Sequence, residues 1–191
     1  MIYFVTHPDV VVDPELPVPR WSLSERGRRR MRALLAQPWV AGIGSLYSST
    51  EQKAIDGARI LGDHLGLPFQ QLPELGENDR SATGYLPGPE FEATADAFFA
   101  RPSESVRGWE TADAAQRRIV GAVDRIVRSK PAQESVAIVS HGAVGTLLLC
   151  RLNGWKIDRS HDQPGQGGGN YFVFAEGRAA REGWRPIDGA A

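Results

Sequence analysis

Ser135-Val-Ala-Ile-Val-Ser-His-Gly142 is a short, apolar, β-branched run that ends on a histidine and a glycine. A run of this length and character reads as a strand buried on both faces, the kind that fills the middle of a parallel sheet. The amino terminus repeats the pattern: Met1-Ile-Tyr-Phe-Val5 leads into Thr6-His7-Pro8. In an open α/β sheet the ligand crevice lies at the carboxyl ends of the strands, so two imidazoles from opposite ends of the chain are expected to meet there. One histidine after a strand is most often a capping or loop residue. Two in equivalent places favour chemistry, because imidazole titrates near neutral pH and serves as nucleophile, general base or metal ligand.

Outward from these strands the chain alternates strand and helix. Asp9 to Pro19 carries three prolines and reads as an irregular loop over His7. Ser24 caps a helix from about Glu25 to Ala36, crowded with arginines whose default reading is a solvated face. Ile43 to Tyr47 is a strand, Glu51 to Leu65 a helix, and Pro68 to Gln71 a third strand candidate, followed by the polar loop Glu74 to Gly84. Helices follow over Gly88 to Ala100 and Glu110 to Ser129, then the strand Val136 to Val139, a buried helix Ala143 to Leu152, and a strand Tyr171 to Ala175. The loop Gly165 to Asn170 either joins elements or hugs a ligand, and the segment from Arg178 reads as an antiparallel edge or a fraying tail. This order predicts a three-layer α/β sandwich with a mostly parallel central sheet and helices on both faces.

The bulk properties set bounds. A chain of 191 residues with 41% hydrophobic content suits one domain over 1–191. A net charge of -1 gives no global field for nucleic acid or an anionic membrane, and no apolar stretch approaches a membrane span. A single cysteine, Cys150, rules out an internal disulfide and fits a reducing cytoplasm. The four histidines lack the close spacing of a compact metal site, and His64 and His161 read as surface residues.

Four pieces in order resemble the histidine phosphatase superfamily, the phosphoglycerate-mutase-like proteins. They are the strand ending Thr6-His7-Pro8, where the family has Arg-His-Gly; Leu23-Ser24-x-x-Gly27; Ser48-Ser49-x-x-x-Lys53-Ala54, where the family has arginine at the Lys53 position; and Ser140-His141-Gly142. The resemblance implies a phosphomonoesterase needing no cofactor or metal, with a small phosphorylated substrate. It implies that His7 attacks the phosphoryl group, that His141 stabilises it, and that water hydrolyses the phosphohistidine. Thr6, Ser48, Ser49, Lys53, Arg80 and Gly142 would then surround the phosphate, and Glu77, with Glu74 as the alternative, would protonate the leaving oxygen.

The departures carry consequences. Thr6 removes a charged clamp, Pro8 lacks an N–H, and Lys53 keeps charge without the bidentate fork of arginine. A lost donor of this kind costs about 2–4 kcal/mol of transition-state stabilisation. Arg80, Arg20 or Arg28 is a candidate to restore the charge. A catalytically impaired relative that binds an anion or a protein is the alternative reading, and segments 9–22 and 77–109 would form the lid over the leaving group.

Overall fold

The computed structural model describes residues 1–189 except 132, 178 and 181. Six strands form one sheet in the order β3-β2-β4-β1-β5-β6, with β1 at Ile2–Thr6, β2 at Ile43–Ser48, β3 at Phe69–Gln71, β4 at Ser135–Ser140, β5 at Asn170–Phe174 and β6 at Arg185–Pro186. The first four strands run parallel to one another, and β5 and β6 add an antiparallel edge. The sequence-derived sandwich is the observed one, and the terminal segment contributes an edge strand.

Helices cover both faces: α1 at Glu25–Leu34, α2 at Gln52–Leu65, α3 at Gly88–Ala100, α4 at Ala112–Ser129 and α5 at Gly142–Asn153. Alternation along the strands assigns the faces. Phe4, Val136, Ile138 and Phe172 pack with α3, α4 and α5, whereas Val5, Ala137 and Val139 pack with Met31 and Leu34 of α1 and with Ala54, Ala58 and Leu61 of α2. Fully burying each of these larger side chains contributes about 1.5–3 kcal/mol. The helix starts follow their caps. Ser24 accepts from the Gly27 N–H to begin α1, and Thr111 accepts from the Ala114 N–H, so α4 starts two residues later than the periodicity suggests.

Two close approaches fix the chain around His7. Gly27 of α1 lies so near the loop after β1 that a Cβ there would stand 2.1 Å from the Asp9 carbonyl oxygen. Gly168, with φ of +68°, lies against the His7 carbonyl, and the next residue, Gly169, donates its N–H to that carbonyl at 3.1 Å. The glycine loop therefore hugs the backbone of the first histidine. Arg30 holds it from the other side, donating to the Gly168 and Gly169 carbonyls and pairing with Asp9 and Asp188. The arginine-rich face of α1 thus contains an internal tie as well as solvated groups.

Candidate active site

Register brings the histidines together. Thr6 pairs with Ser140 across β1 and β4, and the ladder continues one step as the His7 N–H donates to the Ser140 carbonyl at 3.0 Å. The next residue on each strand is a histidine, and the two rings meet edge to face with centroids 5.1 Å apart. The His7 Nδ1 lies 3.0 Å from the Pro8 carbonyl, which can only accept, so Nδ1 carries the hydrogen and Nε2 keeps its lone pair. A proline at position 8 retains the one group, the carbonyl, that this contact uses. Burial, with Lys53 nearby, pushes the His7 pKa down to about 4, so the ring is neutral at pH 7. The His141 imidazole is also held below its ordinary value by burial.

Around the pair stand charges of both signs. Lys53, in the first turn of α2, is buried, and its ammonium donates to the Val18 carbonyl at 2.9 Å and to Glu51 Oε2 at 2.6 Å. An ammonium has three hydrogens, so one remains for a ligand oxygen. Glu51 extends to the imidazoles: its Oε1 lies 3.3 Å from His141 Nε2 and accepts the Glu77 N–H at 2.8 Å. Burial alone would raise this carboxyl, but the Lys53 ammonium and the Glu77 N–H outweigh it and hold it well below the usual carboxylate range. One resident anion thus occupies donors suited to a phosphoryl oxygen.

The other sequence-derived residues separate into those turned toward the imidazoles and those turned away. Ser49 Oγ accepts the Glu51 N–H at 3.2 Å and lies 2.7 Å from His141 Nε2, whereas the Ser48 hydroxyl donates to the Ser49 carbonyl at 2.9 Å. Glu77 carries its carboxylate to the start of α5, accepting from the Ala143 and Val144 N–H groups at 3.2 and 3.1 Å. Glu74 instead pairs with Arg125 of α4 at 2.7 Å. The Thr6 hydroxyl is spent within the fold, 2.7 Å from Gln163 Oε1, 3.1 Å from the Asn170 carbonyl and accepting the Asn170 N–H. Gly142 packs so closely on Gln163 that a Cβ there would stand 2.3 Å from its Nε2.

Of the candidate replacement arginines, Arg28 is bound to Asp56 at 3.0 Å and Arg20 is exposed. Arg80 is the one whose charge reaches both imidazoles, lowering each. Cys150 is buried and His64 exposed, while His161 is partly covered, stacked on Trp155 with centroids 4.3 Å apart.

Sequence reasoning did not single out two residues that the structure brings to the candidate site. Glu51 reads there as an ordinary acidic residue at a helix start. Arg118 has no place in the sequence reading, yet its guanidinium donates to the Glu74, Gly76 and Glu77 carbonyls and pairs with Glu110, which shapes the loop that presents Glu77. A cation on an otherwise apolar helix stripe facing a polar loop was the only available sign of it.

Comparison with known proteins identifies the family and agrees with the fold. A family model described as histidine phosphatase superfamily (branch 1) matches residues 18–184. Comparison with curated proteins gives no match. The native structure of mycobacterial glucosyl-3-phosphoglycerate phosphatase superposes with a TM-score of 0.74 at 19% identity, over 96% of this chain and 95% of that one. Bacillus stearothermophilus YhfR gives 0.75 at 22%, over 93% and 92%. The α-ribazole phosphatase from Shigella flexneri gives 0.67 at 18%, over 98% and 96%. At these identities the structural likenesses establish the fold.

Proposed function

The chain belongs to the histidine phosphatase superfamily and is by family a phosphatase, and from that premise we propose that it hydrolyses a small phosphomonoester through a phosphohistidine on His7. The observation that carries the reading is the His7 ring: neutral, tied by Nδ1 to the Pro8 carbonyl, and edge to face with His141. Its Nε2 lone pair attacks phosphorus while the bond to the leaving oxygen breaks. Charge spreads over the equatorial oxygens, where His141, the free hydrogen of Lys53 and the field of Arg80 stabilise it. Glu77 in its protonated form supplies the proton to the leaving oxygen, and its carboxylate then deprotonates the water that cleaves the phosphohistidine. No metal or organic cofactor is needed. We place the reaction in the cytoplasm, a reducing compartment that suits a lone buried thiol at Cys150.

Glu51 favours a second reading. Because it already engages Lys53 and approaches His141, a chain that binds an anion without turning it over is the alternative. One experiment separates them: phosphate release from a panel of phosphomonoesters without added metal, with an alkaline denaturing quench to trap a phosphorylated intermediate. The phosphatase reading expects turnover and an acid-labile, alkali-stable adduct on His7, both lost in His7→Asn. Turnover surviving in His7→Asn would overturn the nucleophile assignment. Phosphate binding without release would leave the binding module.

A further inference from the structure

Next to Lys53 lies a cavity of about 300 Å³ whose wall includes Val18, Trp21, Tyr85, Leu86, Phe91 and Arg80. A larger hollow, about 430 Å³, lies among α4, α5 and the end of β5. Phe174 there pairs with Ile2, so that hollow is at the sheet end opposite the histidines. The smaller one adjoins the site by two links. Val18, on its wall, accepts the Lys53 ammonium through its carbonyl. Arg80, also on its wall, is the arginine whose charge is felt by His7 and His141.

The wall chemistry is specific. Trp21 and Tyr85 stand with ring centroids 5.6 Å apart and tilted by 57°, and the Arg80 guanidinium carbon lies 5.2 Å from the Phe91 ring centre and 5.5 Å from that of Trp109. A guanidinium stacked in this way keeps its N–H edge for an anion while its faces stay on aromatic carbon. No ion pair among the described residues engages Arg80. Hydrogen-bonding capacity elsewhere in the wall is small. The Trp21 Nε1 already donates to the Asp13 and Leu16 carbonyls at 2.8 and 3.2 Å, so it has nothing to offer a polyol. Tyr85 is 41% exposed although it is a large aromatic residue at the rim, which leaves apolar surface for a ligand to cover. The volume is at the low end for ligand pockets, enough for one ring or two fused rings.

We propose that this cavity takes a flat apolar leaving group, so that the substrate is a phosphomonoester of an aryl or arylalkyl alcohol, with Tyr85 and Phe91 setting the preference. The inference rests on the phosphatase reading above and narrows it. A polyhydroxylated leaving group would lose its water here and find too few partners, which costs affinity. An aromatic one buries its faces against Tyr85 and Phe91 while its phosphoryl group reaches His7.

Calorimetric titration of the full chain with benzylphosphonate and with methylphosphonate tests this without requiring turnover. The expected result is about tenfold tighter binding of benzylphosphonate, the size of effect that ring burial gives, with that ratio falling to about threefold or less in Tyr85→Ala and in Phe91→Ala. Tyr85 lies at the surface, so its truncation leaves the core intact, and melting of each variant checks this for Phe91. Equal binding of the two phosphonates would overturn the aromatic site and leave the phosphatase reading standing. Binding of neither would remove both. Where the chain turns over, benzyl phosphate should exceed glycerol 3-phosphate in kcat/KM, two esters of alcohols with similar leaving ability, and the reverse order would also overturn the proposal.

Discussion

At the scale of single residues, the two histidines are legible in the sequence because a strand end is a fixed address: a residue that follows a buried strand is carried to the crevice. Glu51 is not legible there, since its meaning depends on a side chain folding back from the start of α2 to His141, and nothing in Ser-Ser-Thr-Glu-Gln-Lys specifies that turn. Thr6 shows the converse, a residue at the expected address whose hydroxyl is absorbed by Gln163 and Asn170. Glu51 gives a prediction of its own. Its carboxylate shares Lys53 with any incoming phosphoryl group, and like charges a few ångströms apart in a partly buried site repel by more than 1 kcal/mol. Glu51→Gln keeps the volume and removes the charge, so inorganic phosphate is expected to bind about tenfold tighter or more in the variant. Competition assay or calorimetry at pH 7 reads the change, and unchanged or weaker binding would show that Glu51 organises Lys53 instead of opposing the ligand.

At the scale of elements, the caps and periodicities locate the helices, and what they miss is where one element must pass close to another. Leu23-Ser24-x-x-Gly27 reads as a helix start from its serine cap, but the reason for its glycine is the Asp9 carbonyl across the gap. Two glycine substitutions in helices should therefore move stability in opposite directions. Gly27→Ala gains helix propensity of about 1 kcal/mol but drives a Cβ into backbone, a clash that forces α1 or the loop after His7 to shift and costs about 1–3 kcal/mol or more. Gly121→Ala, in α4, meets only the Arg125 guanidinium at 3.8 Å, so it keeps the propensity gain. Chemical denaturation should find Gly27→Ala less stable than the native chain and Gly121→Ala more stable by about 0.5–1 kcal/mol. The opposite order would mean that the loop yields to α1 at little cost. The Gly165–Asn170 segment follows the same logic: its composition announces tight turns, while its grip on the His7 carbonyl emerges only from β5 lying beside β1.

At the scale of the whole molecule, the fold holds one buried and one half-buried imidazole neutral, and this makes stability depend on pH. The alternation of elements was enough to read the sandwich, because parallel strands buried on both faces leave few other arrangements. The charge balance inside the site needed the structure. His7 has a folded pKa of about 4 against 6.5 for the unfolded chain. Between those values the unfolded chain binds more protons than the native one, so unfolding free energy rises with pH across that window and falls as pH drops through it. The contribution is complete above about pH 6.5, and His7 alone forfeits about 2 kcal/mol of it by pH 5. His141 is shifted in the same direction and adds to the slope. Glu51, held below its ordinary value, contributes stability that is present above the unfolded carboxylate pKa and is lost only as pH falls below it, so it sharpens acid unfolding without acting near neutrality. For a chain of this size, 2 kcal/mol corresponds to a Tm lower by roughly 4–8 °C at pH 5 than at pH 7. In His7→Asn, which cannot take up the proton in either state, the fall in Tm over the same interval should shrink by about that amount. Equal falls in the native chain and the variant would mean that His7 titrates alike folded and unfolded, and with that the neutral nucleophile would be lost as well.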